Sequence, residues 1–155
     1  MKRTLLVLLV LSVNLAAQSY SGGAGTSGDP YQIANKADLK YLSEHTAEWS
    51  KHFNMTADIT FETADFESGG DFYNGGLGFI PIGLNSTFSG TFDGDGHSIS
   101  NVYINRSSTT YVGFFSGSYD QYGNNSITNL NLVNVNIRGA NSTGGLVGLV
   151  HYGTF

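Results

Sequence analysis

Ser98-Ile99-Ser100-Asn101-Val102-Tyr103-Ile104 returns downstream as Ser126-Ile127-Thr128-Asn129-Leu130-Asn131-Leu132. Both stretches run hydroxyl, Ile, hydroxyl, Asn, aliphatic, variable, aliphatic. Stacked β-coils leave such an echo, because each turn presents the same side chain to the turn above. Ile99 and Ile127 are 28 residues apart, and a second echo, Gly113-Phe114-Phe115 against Gly145-Leu146-Val147, is spaced by 32. The difference falls in the connections at 105–111 and 133–143, where variable turns between fixed strands absorb insertions. This reading places Val102 over Leu130 and forms an asparagine stack of Asn101 and Asn129 at a bend, their amides bonded to each other and to the bent backbone. It predicts an all-β solenoid. An antiparallel sandwich is the alternative, because Asp93-Gly94 and Asp95-Gly96 are good hairpin turns.

Composition supports a β-rich chain with many bends. The sequence holds 21 Gly, ten Phe, nine Tyr and one Trp, and charged residues make up only 12%, about half the usual share. There is no cysteine, so an exported chain must fold without disulfides.

Met1-Lys2-Arg3 is a basic head, 5–15 is almost wholly aliphatic, and Ala16-Ala17-Gln18-Ser19 supplies small residues at a cleavage point. This is the layout of a secretory signal peptide over 1–17, and the apolar run is short for a membrane span. Its removal takes Lys2 and Arg3 and leaves an acidic mature chain. Such a surface argues against nucleic acid, whose phosphates need Lys and Arg to displace counterions.

Residues 18–28 are rich in Ser, Gly and Ala and read as a flexible leader. One short helix follows. Asn35 can cap it, Asp38 favours the free amides of its first turn, and Leu39, Leu42, Thr46 and Trp49 fall roughly on one face. A helix before a β-coil can plug the end of the stack, hiding core side chains and strand edges. The stretch 62–79 has no clean period and reads as an excursion from the body.

Several segments together resemble the N-terminal β-helical region of GLUG-motif proteins and bacterial IgA-specific metallopeptidases. They are Gly25-Thr26 with Asp29-Pro30-Tyr31-Gln32-Ile33, the helix around Leu39, Thr56-Ala57-Asp58-Ile59 and Ile80-Pro81-Ile82-Gly83. Phe88-Ser89-Gly90-Thr91-Phe92-Asp93-Gly94-Asp95-Gly96-His97 is the most specific piece, and Gly144-Gly145-Leu146-Val147-Gly148 looks like the GLUG signature. The resemblance implies a right-handed parallel β-helix in secreted or surface-attached bacterial proteins. It assigns 29–155 to a GLUG-type module, expected to be incomplete at its C-terminal end and so open there to self-association or further repeats. The family's protease module needs a zinc-binding His-Glu-x-x-His, a pentapeptide this chain lacks; His45 and His52 flank Glu48 at the wrong spacing.

Asp93, Asp95 and His97 are the first constellation to test for chemistry. Their intervening glycines favour a structural turn, and the position where an EF-hand loop needs its twelfth-position Glu is Ile104. No catalytic residue, metal ligand or cofactor is assigned, with calcium binding and acid/base catalysis at this turn the alternatives. The excursion carries Asp65, Glu67 and Asp71 beside Phe72 and Tyr73, acids and rings suited to a ligand-binding loop on a rigid scaffold. Asn54, Asn85, Asn105, Asn124 and Asn141 each open an Asn-x-Ser/Thr triplet. The expectation is a non-catalytic secreted or cell-surface scaffold that binds an extracellular glycan or surface protein. A carbohydrate-active β-helix enzyme, a polysaccharide lyase or glycoside hydrolase, is the runner-up.

Overall fold

A computed structural model describes residues 20–119 and 125–151; the signal-peptide assignment, Gln18, Ser19 and Asn124 lie outside them. The strands are β1 (Tyr31–Ile33), β2 (His52–Met55), β3 (Ile59–Thr60), β4 (Thr91–Asp93), β5 (Ser98–Ser100) and β6 (Tyr103–Asn105). They continue with β7 (Phe115–Tyr119), β8 (Ser126–Thr128), β9 (Asn131–Val133), β10 (Asn136–Arg138) and β11 (Val147–His151). One helix, α1 (Lys36–Glu44), separates β1 from β2.

These strands form short sheets in the orders β1-β2-β4-β8, β3-β5-β9, β6-β10 and β7-β11. Every pairing between them is parallel. Hairpins give antiparallel neighbours, so the sandwich alternative is overturned. Asp93-Gly94 and Asp95-Gly96 turn the chain from one sheet into the next instead of reversing it.

The apolar positions fall in register. Phe53 lies beside Phe92 and Phe92 beside Ile127; Ile59, Ile99 and Leu132 line up in the second sheet, and Ile104 meets Ile137 in the third. Flanking residues such as Thr91, Asp93, Ser98 and Ser100 are only half-buried, the alternation expected of a sheet with one face on a core. Aromatic rings fill much of that core: Phe79 stacks on Phe114 at 5.0 Å and Phe88 packs against Phe115 at 5.1 Å.

The 28-residue echo does not stack. Ile99 pairs with Leu132, whereas Ile127 pairs with Phe92 in a different sheet. Val102 therefore does not lie over Leu130, and Asn101 does not lie over Asn129. Asn101 accepts from the amide of Asn134, 33 residues on, at 2.8 Å; Asn129 donates to Asp93, 36 residues back, at 3.0 Å. The echo repeats a local unit, strand–asparagine–strand, that recurs within one pass of the chain as well as between passes. The second echo keeps its spacing, with Phe115 beside Val147.

The leader also differs from its reading. Tyr20 is buried against Tyr31, Tyr41 and Phe53, with ring centroids 4.3, 5.0 and 5.5 Å away. The Gln32 amide donates to the Gly22 carbonyl at 2.8 Å and the His52 amide to that of Gly25 at 3.2 Å. Small polar residues look flexible in isolation, but the free edge of β1 needs hydrogen-bond partners and 20–28 supplies some of them.

The Asn35 carboxamide accepts from the amides of Ala37 at 2.8 Å and Asp38 at 3.1 Å, closing the start of α1. Leu39 and Leu42 are fully buried, and Trp49 follows them into the core with its indole N–H donated to the Leu42 carbonyl at 2.7 Å. Thr46, expected on the same face, is exposed in the 3-10 turn after the helix.

Candidate ligand-binding cleft

The excursion packs down in two halves. A 3-10 turn at Thr63–Phe66 is fixed by Asp65, which accepts from the Glu62 amide at 2.7 Å and from both contacts of the Lys36 ammonium at 2.7 and 2.8 Å. Phe66 then rests on Phe61 and Tyr103, with centroids 5.3 and 5.7 Å apart. Phe72 is buried edge-on to Phe61 at 4.9 Å. Only 6% of Phe72 is accessible, so it is part of the core and cannot present a face to a ligand.

The proposed loop residues therefore do not converge. Asp65 is committed to Lys36. Asp71, exposed, faces Lys40 at 3.8 Å, and Tyr73 is exposed. Glu67 alone among them lines a cleft of about 640 Å³, which lies within the roughly 300–1,000 Å³ usual for small-ligand sites.

The parallel pair β6–β10 builds one wall of that cleft. Tyr103 on β6 stands in register with Asn136 on β10, and Asn101 just before β6 is bonded to Asn134 just before β10. Asn101 also donates to the Phe61 carbonyl at 3.1 Å, tying the corner to the excursion. Phe61, Phe66, Glu62, Thr63 and Glu67 complete the opposite wall. The result is an aromatic corner, a pair of stacked amides and two carboxylates facing one opening. Asn134, Asn136 and Glu67 are exposed, while Phe66 and Tyr103 are half-buried and held by their neighbours.

Asp93 ends β4, and Asp95 and His97 lie in the turn between β4 and β5. The Asp95 amide donates to Asp93 at 2.9 Å, and Asp95 and Gly96 take positive φ of 49° and 81°. His97 contacts Asp58 through Nδ1 at 3.2 Å, and the Ser98 amide donates to the same carboxylate oxygen at 2.8 Å. That amide, and then His97, hold the Asp58 carboxyl below its ordinary range. Among the described residues no three acidic or histidine side chains gather as a metal site, and no helix is long and apolar enough to cross a membrane.

Reading the first echo as a whole-turn repeat hid Asn134 and Asn136. A third copy of the unit, Asn131-Leu132-Val133-Asn134-Val135-Asn136-Ile137, overlaps the end of the second at Asn131-Leu132. Its five-residue step from Leu132 to Ile137 is the signal that could have found them.

Halomucin of Haloquadratum walsbyi is 38% identical to this chain over 131 residues, 81% of the chain but 1% of that protein. A protein named as a Gly-rich membrane protein, from Evansella cellulosilytica, is 35% identical over 97 residues, 62% of the chain and 10% of its own length. The chain thus spans a small fraction of either relative. No family model matches it. No solved structure matches it.

Proposed function

We propose that this chain is a non-catalytic, secreted or cell-surface scaffold, a right-handed parallel β-helix of GLUG type whose stacked turns hold binding loops in register. One observation carries this reading: each strand from β2 to β7 pairs in parallel with a strand further along the chain, β2 with β4, β3 with β5, β4 with β8, β5 with β9, β6 with β10 and β7 with β11. Such a design makes a stiff body from a short repeating unit and needs no reactive group. The two relatives support a surface setting, one by a mucin name and the other by a membrane-protein name. The acidic surface favours partners other than nucleic acid.

The test is twofold. Protease treatment of intact source cells should remove the chain while cytoplasmic markers survive, and the purified module should bind glycans or a surface protein without consuming them. Retention of the chain inside untreated and treated cells alike would overturn the surface reading.

One observation favours the enzyme alternative. Glu62 and Glu67 both line the cleft, and paired carboxylates are the groups glycoside hydrolysis uses. A reducing-end assay on polysaccharides decides it: sugar release lost in Glu62→Gln or Glu67→Gln would convert the scaffold into an enzyme. Asp93 is a poor candidate for that role, its carboxylate already accepting from the Asp95 amide and from the Asn129 side chain.

A further inference from the structure

We propose that the cleft between the 3-10 turn Thr63–Phe66 and the β6–β10 rungs binds a neutral glycan, one sugar ring seated against Phe66 and Tyr103 with its hydroxyls on the Asn and Glu side chains. This deepens the scaffold reading and rests on it.

The chemistry of the walls selects the ligand. A sugar ring has an apolar C–H face and a rim of hydroxyls, so it needs a flat aromatic surface beside groups that both donate and accept. Phe66 and Tyr103 supply the surface, set at 65° to each other as a corner. Carboxamides each offer donors and an acceptor, and carboxylates accept strongly from hydroxyls. Asn134, Asn136, Glu62 and Glu67 provide both kinds around the same opening.

Charge narrows the class. The cleft lining contains no Lys or Arg, and its only formal charges are the two glutamates. Uronate, sulfated or sialylated chains would bring like charge into a site with nothing to neutralise it. A neutral chain carries no such penalty. Register then favours an extended ligand: adjacent parallel strands are about 4.8 Å apart, close to the length of one hexose unit, so side chains on β6 and β10 can address successive sugars.

The aromatic corner of the site is held in place before binding. Lys36 and Asp65 pin the turn, Phe61 supports Phe66, and Asn101 bonds to both Phe61 and Asn134. Groups already held in place lose little freedom when a ligand arrives.

The experiment titrates the chain over residues 18–155 with neutral β-1,4-glucan, β-1,4-xylan and α-1,4-glucan hexasaccharides, with hexagalacturonate and with a cationic peptide. Isothermal calorimetry gives the affinity and a reducing-end assay reports turnover. The expected result is binding of at least one neutral chain, at least tenfold weaker or undetectable hexagalacturonate binding, and no turnover. Tyr103→Ala and Asn136→Ala should each weaken the neutral chain tenfold or more. Tyr73→Ala, on the other side of the excursion, should leave it unchanged. Asn136 is exposed, so Asn136→Ala keeps the test valid should Tyr103→Ala fail to fold. Failure of every neutral chain, tighter hexagalacturonate, preference for the peptide, or indifference to Asn136→Ala would overturn the site while leaving the scaffold standing. Binding at the cleft accompanied by sugar release would uphold the ligand class and overturn the non-catalytic reading.

Discussion

Asn101, Asn129 and Asn134 all sit at positive φ, 62°, 52° and 51°. A left-handed backbone costs most residues roughly 1–2 kcal/mol, and Asn tolerates it because its short amide bonds locally. Here those amides also bond between passes, so one residue type bends the strand and ties the bend to its neighbour. Asn101→Ala should lose the backbone preference and both bonds, destabilising the fold by about 1–3 kcal/mol in urea denaturation. Asn101→Gly should recover part of that loss, since glycine restores the conformation alone; equal costs for the two variants would show that backbone conformation plays no part. Gly94 answers a different demand. A Cβ there would press on the Asn129 carbonyl and the Leu130 backbone, so Gly94→Ala forces two passes apart. Asp58 gives a pH signature. Its pKa is depressed in the folded chain, so the stability it contributes is present above its ordinary value of 3.8 and is lost as pH falls through the lower folded value. Asp58→Asn should flatten that acid limb in unfolding curves recorded downward from pH 4.

At the scale of elements, α1 matches its reading because its signals are local. Asn35 caps it and Leu39 and Leu42 recur at helical spacing. Asn35→Ala removes the acceptor for two first-turn amides and should cost about 1 kcal/mol in urea denaturation. An unchanged midpoint would mean that packing of Leu39 and Leu42 fixes the helix start unaided. The excursion was not legible in the same way. Its sequence shows which residues are aromatic, but only its packing on Phe61 and Phe79 separates buried Phe72 from half-buried Phe66. The acids there were likewise indistinguishable until Lys36, brought near by α1, claimed Asp65 and left Glu67 to the cleft.

Across the whole molecule, burial is uneven between passes. Phe92, Ile99 and Ile104 are fully inaccessible, whereas Leu132 and Ile137, stacked beside Ile99 and Ile104, are only partly buried, and Val133 is 48% exposed. Ile99→Ala should cost about 2–5 kcal/mol, the range for a buried aliphatic truncation. Leu132→Ala should cost clearly less in the same urea titration, since less of its surface leaves water. Native-state hydrogen exchange should rank the amides accordingly, with β4 and β5 opening only on global unfolding and β9 and β10 exchanging through local opening. Uniform protection across β5 and β9 would contradict the gradient.

By itself the sequence determined the β-rich class, the capped helix, the bend at each asparagine and the pairing of Phe115 with Val147. All are set by local preference or by a spacing with a single solution. Which turn lies on which was decided only by the tertiary structure. Three copies of one strand–asparagine–strand unit offer several registers of similar local quality, and only the packing of the short parallel sheets on their core distinguishes them. That choice set Asn134 beside Asn101 and Asn136 beside Tyr103, and so created a cleft that no single stretch of the chain contains.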